Sequence, residues 1–456
     1  MTRQIDFTQG SLSRQLILFS VPLVMGELLQ NLYNTVDAIV VGNFVSDTAL
    51  AAISVCSTLS NLLIGFFNGM SIGAIVIVSR VFGSKQEELL RRYIRVTFTF
   101  SAILGVFLSV AGICGTEFLL RLSAVPDDAY GEAVIYLRVY LAGIMFTVIY
   151  NVSAGILRAI GDFSTPFMIL LLTCCINIVL DVLFVAVLHL GVAGVSVATV
   201  ISQFISVVVV YMKICRQSRA PCFSIRETMY YGKKIVLELL SIGMPSGLQS
   251  SLVSFSNLFV WRYVNQFSSV ATAGIGVAQR LDKFIAMPCK AFGTTVTTCV
   301  SQNIGAKNYK RASSSVRICI RLSLSVTITL ELVVLLFRRQ CVGLFNDNPE
   351  VIAIGAAMMR TILPMYVVFA LREILYGVLR GHGYTHITTI LSLIGMVGVR
   401  QLFLAVSMAV NPTITNIYWC YPIAWGSTLV LIYGYYLVVK HRPEWEKEAN
   451  KEEIIT

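Results

Sequence analysis

Two octapeptides decide how this chain is read: G-I-L-R-A-I-G-D, Gly155 to Asp162, and G-V-L-R-G-H-G-Y, Gly377 to Tyr384. Each follows a long apolar run and precedes another. They lie 222 residues apart in a chain of 456, so the second half repeats the first. Other pairs keep nearly the same offset. Pro22 answers Pro245, the turn R-V-F-G-S-K (Arg80 to Lys85) answers Q-N-I-G-A-K (Gln302 to Lys307), and Arg95 answers Arg317. A membrane protein built from two similar halves is the usual plan of a secondary transporter.

The composition agrees. The chain is 56% hydrophobic and only 13% charged, with a mean hydropathy of +0.77. A soluble domain carries roughly 25% charged residues. Apolar windows long enough to cross a bilayer, about 20 residues each, recur about twelve times. The predicted spans are about 15–43, 49–80, 93–119, 130–157, 164–188 and 191–214, then 235–265, 270–303, 316–343, 350–380, 385–410 and 412–439. The expected fold is therefore all-α and polytopic, with twelve transmembrane helices in two six-helix bundles related by pseudo-two-fold symmetry. Six helices per half start both halves on the same side, so the repeats are parallel. The expected divisions are an N-terminal bundle at 1–214, a cytoplasmic connector at 215–234, a C-terminal bundle at 235–440 and a cytoplasmic tail at 441–456. The first apolar run is longer than a signal-peptide core and is expected to be retained as a helix.

The formal charge of +11 invites a nucleic-acid reading, but its placement argues against one. Lys and Arg cluster at Arg80–Arg95, Lys213–Lys234, Lys307–Arg321 and Lys440–Lys451, in alternate loops and at the ends. The intervening loops are short and nearly free of them. That asymmetry marks the basic loops, and both termini, as cytoplasmic. The partners expected are a small-molecule substrate and the lipid bilayer, with no nucleic acid, for a monomeric chain.

Nothing points to catalysis. There is no phosphate-binding loop, so ATP is not expected to drive the chain directly. The eleven cysteines lack metal or disulfide spacing and read as small packing residues. The four histidines are scattered in or near loops. We expect no enzyme, no cofactor and no resident metal.

The informative residues are acids inside apolar runs. A charge in hydrocarbon costs several kcal/mol, so each intramembrane acid is a functional candidate. Asp37 lies about six residues, or about 9 Å, from the outer end of the first span, and Asp181 about seven residues from that of the fifth. Asn177 is one turn from Asp181 on the same face, Asn34 lies near the face of Asp37, and Thr199 sits about 12 Å down the sixth span. These positions converge in the outer half of the first bundle. The counterparts of both acids in the second half are apolar. Oxygen ligands with two carboxylates suit a proton or a small hard cation such as Na+. Two close buried carboxylates do not both stay ionised without a cation, which is the physics of a coupling site. Holding helices together by hydrogen bonds is the plainer alternative; such bonds are worth about 1 kcal/mol, and Asn would serve. Pro22, about four turns below Asp37, frees a backbone carbonyl and permits a bend or a fixed kink. In the second half, Lys290, Glu331, Arg372, Glu373 and Arg400 lie in apolar runs. Glu373 is the best rival for ion coupling, although an ordinary ion pair with Arg372 explains it more simply.

Several segments carry a resemblance: V-P-L-V-M-G-E-L-L-Q-N-L-Y-N-T-V-D (Val21 to Asp37), G-I-L-R-A-I-G-D-F-S-T-P (Gly155 to Pro166), N-I-V-L-D (Asn177 to Asp181), G-V-A-G-V-S-V-A-T-V-I-S-Q (Gly191 to Gln203) and S-Q-N-I-G-A-K (Ser301 to Lys307). Together they resemble the multidrug and toxic compound extrusion (MATE) family, in its prokaryotic branch with the coupling site in the N-terminal bundle. The resemblance implies export of small organic, often cationic, compounds across the cytoplasmic membrane of a prokaryote in exchange for H+ or Na+. It implies ion coupling at Asp37, Asn177, Asp181 and Thr199 and helix bending at Pro22. Gln30 and Tyr136 match positions near that branch's substrate cavity. Tyr33, Asn34, Met145 and Asn151 are further cavity candidates. Lys290 is a departure, because a positive second bundle disfavours cationic drugs and leaves anionic or zwitterionic substrates open. A flippase for a lipid-linked precursor is the alternative function, and a non-transporting scaffold a third.

Overall fold

The computed structural model describes residues 4–45, 47–122, 125, 127–218 and 221–440. For some helical positions among them, Asn34 and Asp37 included, only the backbone is described. The expected tail at 441–456 lies outside the described residues.

Among the described residues the structure is helical, without strands. The first half holds α1 (Leu12–Phe44), α2 (Asp47–Gly83), α3 (Glu87–Leu122), α4 (Asp127–Ala142), α5 (Ile144–Ala159), α6 (Ser164–Asp181) with a π-helical extension (Val182–Val187), and α7 (Gly191–Ser218). A short α8 (Ile225–Tyr231) precedes α9 (Lys233–Val264). Then come α10 (Ser269–Gly305), α11 (Tyr309–Leu336), α12 (Arg338–Gly343), α13 (Pro349–Ile362), a 3-10 turn (Leu363–Met365) and α14 (Tyr366–Gly381). The chain closes with α15 (Thr385–Leu393), a π-helical stretch (Ile394–Val399), α16 (Arg400–Val410) and α17 (Ile414–Lys440). With interrupted helices joined, these make twelve spanning stretches, the number read from the sequence. Among the described residues nine are long and apolar enough to cross a bilayer by composition alone, and the bent α4–α5 pair makes a tenth. The serine-rich α9 and the charged α10 complete the twelve. Large apolar side chains such as Phe107, Phe118, Val179 and Val430 stand exposed on these helices, as lipid-facing surfaces require.

The repeat is written in the backbone. Gly161 and Gly383 both take positive φ, 82° and 86°. At each, the following amide reaches back five residues: Asp162 N–H to Leu157 O at 2.9 Å, Tyr384 N–H to Leu379 O at 3.0 Å. These are glycine helix stops of the Schellman type. Lys85 and Lys307, also 222 residues apart, share φ of 59° and 57°. The fourth span of each half is interrupted at matching places, Gly143 and Leu363–Met365. At Gly143, α4 and α5 meet at 45°. A Cβ there would lie 2.3 Å from Val200 Cγ2, so only glycine lets the bend settle against α7.

The chain packs into two compact units. The first comprises residues 1–5 and 25–247, the second residues 6–24 and 248–456. Division by packing thus differs from division by repeat. The first 13 residues of α1 pack with the second unit, and α9 up to Gly247 packs with the first. Pro22 sits two residues before α1 leaves the second unit at Val24, and Pro245 two residues before α9 leaves the first unit at Gly247.

The first unit's core is built by α2, α3, α5 and α7 with Ile235, Leu239 and Ile242 of α9. Inside it, α2 presents Gly69 and Gly73, and α9 presents Gly243 and Gly247. A Cβ on Gly69 would fall 2.0 Å from Gly247 N, and one on Gly73 would fall 2.9 Å from Gly243 Cα. Paired small-xxx-small stripes of this kind let two backbones touch. The second unit's core holds an aromatic nest. Tyr366, Phe369 and Trp425 meet with ring centroids 5.1 to 5.3 Å apart.

The connector holds α8, which the sequence reading left as loop. Its N-cap Ser224 accepts the amide of Glu227. Just before it, Cys222 is buried, and that burial pushes its thiol up to about 12, with Ser218 Oγ 3.3 Å away. A raised thiol pKa keeps the group neutral through the physiological range, leaving roughly a thousandfold less thiolate than a free cysteine has. Maleimide at pH 7 is therefore expected to label an introduced Lys233→Cys within minutes and to leave Cys222 unmodified. Reactivity at Cys222 should rise only as the pH climbs towards the raised value. Equal labelling rates at pH 7, read by mass spectrometry of the peptides, would contradict this packing.

Candidate ion-coupling site

The candidate site draws on α6 and α7 of the first unit. Asn177 and Asp181 lie four residues apart on α6, hence on one face, and both are fully buried. Immediately after Asp181 the helix widens into its π-helical stretch, where Leu188 N–H reaches Leu183 O at 2.9 Å, five residues back. One added residue per turn changes which side chains face inward, and π segments of this kind often sit at functional positions. On α7, which packs against α6, Thr199 is 6% exposed. Its hydroxyl donates to Val195 O at 3.0 Å and accepts from the Tyr33 hydroxyl of α1 at 3.0 Å. The structure thus links Thr199 to Tyr33 and sets Asn177 and Asp181 on the buried face of the neighbouring helix. The side chains of Asp37 and Asn34 lie outside the described residues. Their backbone belongs to α1, on the same helix as Tyr33.

The other cavity candidates scatter. Gln30 is exposed on α1. Tyr136 is buried in α4 and stacked on Tyr140, with centroids 6.2 Å apart. Met145 is the second residue of α5, its amide donating to Ser109 Oγ at 3.2 Å. Asn151 donates to Thr147 O within its own helix at 2.8 Å. Pro22 lies inside α1, in the part that packs with the second unit.

Several of the remaining charges have structural partners. Asp162 caps α6, accepting from Thr165 N at 3.0 Å and Thr165 Oγ1 at 2.7 Å. It also accepts from Gln217 at 3.1 Å, and the Lys213 ammonium lies 3.8 Å away. Gln217 and Lys213 both come from α7. Arg138 pairs with Glu117 at 3.2 Å, both half exposed. In the second unit, Arg372 forms an ion pair with Glu373 and lies over the Phe369 ring at 4.5 Å, the simpler reading of Glu373. Arg400 is buried and held by Asn257 Oδ1 at 2.8 Å and Ser256 Oγ at 2.7 Å. Lys290 is exposed on α10.

One acid escaped the sequence reading. Asp282 on α10 accepts the Tyr366 hydroxyl at both its carboxylate and its carbonyl, the latter at 2.9 Å. One turn earlier, Gln279 donates to the Tyr421 hydroxyl at 2.9 Å. Asp282 sits in Q-R-L-D-K, where flanking charges disguise a helix interior as a surface segment. Its spacing from Gln279, three residues on one helical face, was the available signal.

The family model MatE matches residues 22–183 and 245–407, one match in each half. The chain belongs to the MatE family. Members of the MATE family are transporters, which places this chain among membrane transport proteins rather than enzymes. It is 30% identical over 448 residues to the probable multidrug resistance protein YoeA of Bacillus subtilis, covering 97% of this chain and 96% of that protein. It is also 30% identical to the probable multidrug resistance protein YpnP of the same organism, covering 89% and 90%. Solved MATE structures share the fold. A MATE crystal structure in the bent conformation aligns with a TM-score of 0.88 at 20% identity, over 98% of this chain and 99% of that one. A MOP superfamily transporter from Pyrococcus furiosus aligns with a TM-score of 0.86 at 21% identity, over 95% and 97%.

Proposed function

We propose that this MatE-family chain is a secondary active antiporter that exports small organic compounds across the cytoplasmic membrane, exchanging them for H+ or Na+. The observation that supports this reading is the burial of Asp181 and Asn177 on one face of α6, which changes its winding directly after Asp181, together with the Thr199–Tyr33 hydrogen bond on the neighbouring α7. The multidrug resistance names of YoeA and YpnP support the substrate class. They favour efflux over the flippase alternative.

Each group has a distinct role in the proposed cycle. Asp181 and Asp37 exchange the coupling ion. Ionised, a carboxylate only accepts hydrogen bonds; protonated, it also donates one. Uptake of H+ therefore reverses a donor–acceptor relation inside a packed bundle, and Na+ achieves a similar neutralisation with the Asn177 and Thr199 oxygens as further ligands. The Tyr33–Thr199 bond couples α1 to α7, so a change of polarity at the acids reaches the helix that carries Pro22. Pro22 lets α1 bend without losing a backbone bond, because it has no amide to lose.

Proteoliposomes loaded with a cationic dye test the reading under separate gradients. Efflux is expected when either an inward proton gradient or an inward Na+ gradient is imposed, and none when both are collapsed. Efflux independent of both gradients would end the antiport reading. Transport of an anionic dye in place of the cationic one would reverse the charge assigned to the substrate.

A further inference from the structure

We propose that the connector of the first unit carries a binding site for an anionic phospholipid headgroup, with α8 lying in the membrane interface beside it. A surface cavity of about 580 Å³ is lined by Arg92, Ser224, Arg226, Glu227, Tyr230 and Tyr231. Its single acid is already committed: Glu227 pairs with Arg95 and lies 3.6 Å from Arg92 Nε. Arg92 is therefore held near the acid at more than hydrogen-bond distance, while its guanidinium lies over the Tyr231 ring at 5.0 Å. Arg226 is exposed at the rim, and Lys233 and Lys234 follow directly. The wall is net positive, with Arg92 held by its neighbours and Arg226 free to reach from the rim, which suits a phosphate diester.

The apolar surface next to it selects a lipid over a soluble phosphate. Met229, Tyr230 and Tyr231 are 73%, 77% and 68% exposed, and Phe223 and Ile225 are 43% and 49% exposed. A small anion would leave all five in water. A phospholipid satisfies both features, with its phosphate on the arginines and its glycerol and upper acyl chains against the aromatic and aliphatic side chains. Depth agrees. The charge-free run of α3 starts at Val96, and Arg92 stands four residues outside it, about 6 Å along the helix axis. That matches the thickness of one headgroup layer, about 5–7 Å. Tyrosine and arginine at this level are the side chains that membrane interfaces enrich and that anionic leaflets attract.

The test uses the purified full-length protein in neutral detergent, with bound lipid counted by native mass spectrometry. Phosphatidylglycerol adducts are expected at lipid concentrations at least about tenfold below those needed for phosphatidylcholine. Each cationic side chain near an anionic surface is worth about fivefold, so an Arg92→Gln, Arg226→Gln double variant should erase the preference. Tyr230→Ser with Tyr231→Ser should weaken both lipids alike. If the double variant does not fold, Arg226→Gln alone, at an exposed position, should still reduce the preference about fivefold. Inorganic phosphate in large excess should fail to displace phosphatidylglycerol from the native protein. Equal retention of the two lipids, an unchanged preference in the folded arginine variant, or displacement by inorganic phosphate alone would each overturn the proposal.

Discussion

Asp181→Asn is expected to stop gradient-driven efflux in proteoliposomes while the protein inserts, folds and melts at or above its native temperature. The argument rests on burial. Asp181 is wholly enclosed on α6, where a negative charge is expensive to keep and valuable only if it is used. The amide matches the carboxylate in size and retains hydrogen-bonding capacity, so packing with α7 should survive. What disappears is the change of charge. If Asp181 merely joined helices, asparagine would do the same work, and transport would persist. We expect a fall in the driven rate of more than about a hundredfold, corresponding to roughly 2.7 kcal/mol. Asp37→Asn should give the same phenotype, and the double variant should be no worse, because both residues serve one exchange event. Normal dye efflux by Asp181→Asn would remove this residue from the coupling site.

Gly69→Val is expected to be as damaging by a different route. A Cβ at this position would sit 2.0 Å from Gly247 N, 2.3 Å from Gly247 Cα and 2.5 Å from Ser246 C. These are backbone atoms, so no rotamer relieves the clash, and α2 and α9 must separate there. Overpacking commonly costs about 1–3 kcal/mol, and here the clash is with backbone and the helix pair forced apart is the one that holds α9 against the first unit's core. The expected readouts are efflux below about a tenth of native and a lowered unfolding temperature in detergent. Gly115→Val is the control: a Cβ there meets nothing within 4 Å, and that variant should match native. Native-like activity and melting in Gly69→Val would show that the two helices do not touch as described.

Much of the fold was legible because hydrocarbon imposes so strong a length rule. A helix of about 20 apolar residues announces itself, and the repeated glycine stops at Gly161 and Gly383 punctuate it twice in the same way. The finer geometry was hidden for a physical reason. Hydropathy follows side chains, whereas the π turns after Asp181 and before Arg400 are changes in backbone pairing that leave apolarity untouched. The bend at Gly143 depends on how closely Val200 approaches, a tertiary fact. The exchange of half-helices between the packing units likewise has no local signature. The burial of Asn177, Asp181 and Thr199 was readable because polar groups stand out in oil. Asp282 was not, because Arg280 and Lys283 made its surroundings look wet.

The paired turns at Lys85 and Lys307 bear on how the chain enters its membrane. A left-handed backbone burdens a residue with a Cβ by roughly 1 kcal/mol, which glycine would escape. Both turns nonetheless place an ammonium there. Cationic loops resist translocation, so under the proposed cytoplasmic placement of these loops each twisted lysine acts during biosynthesis as a stop that keeps its hairpin on the side where the ribosome stands. The small conformational penalty then serves the orientation of the whole polypeptide, set once at insertion and carried unchanged through every later cycle.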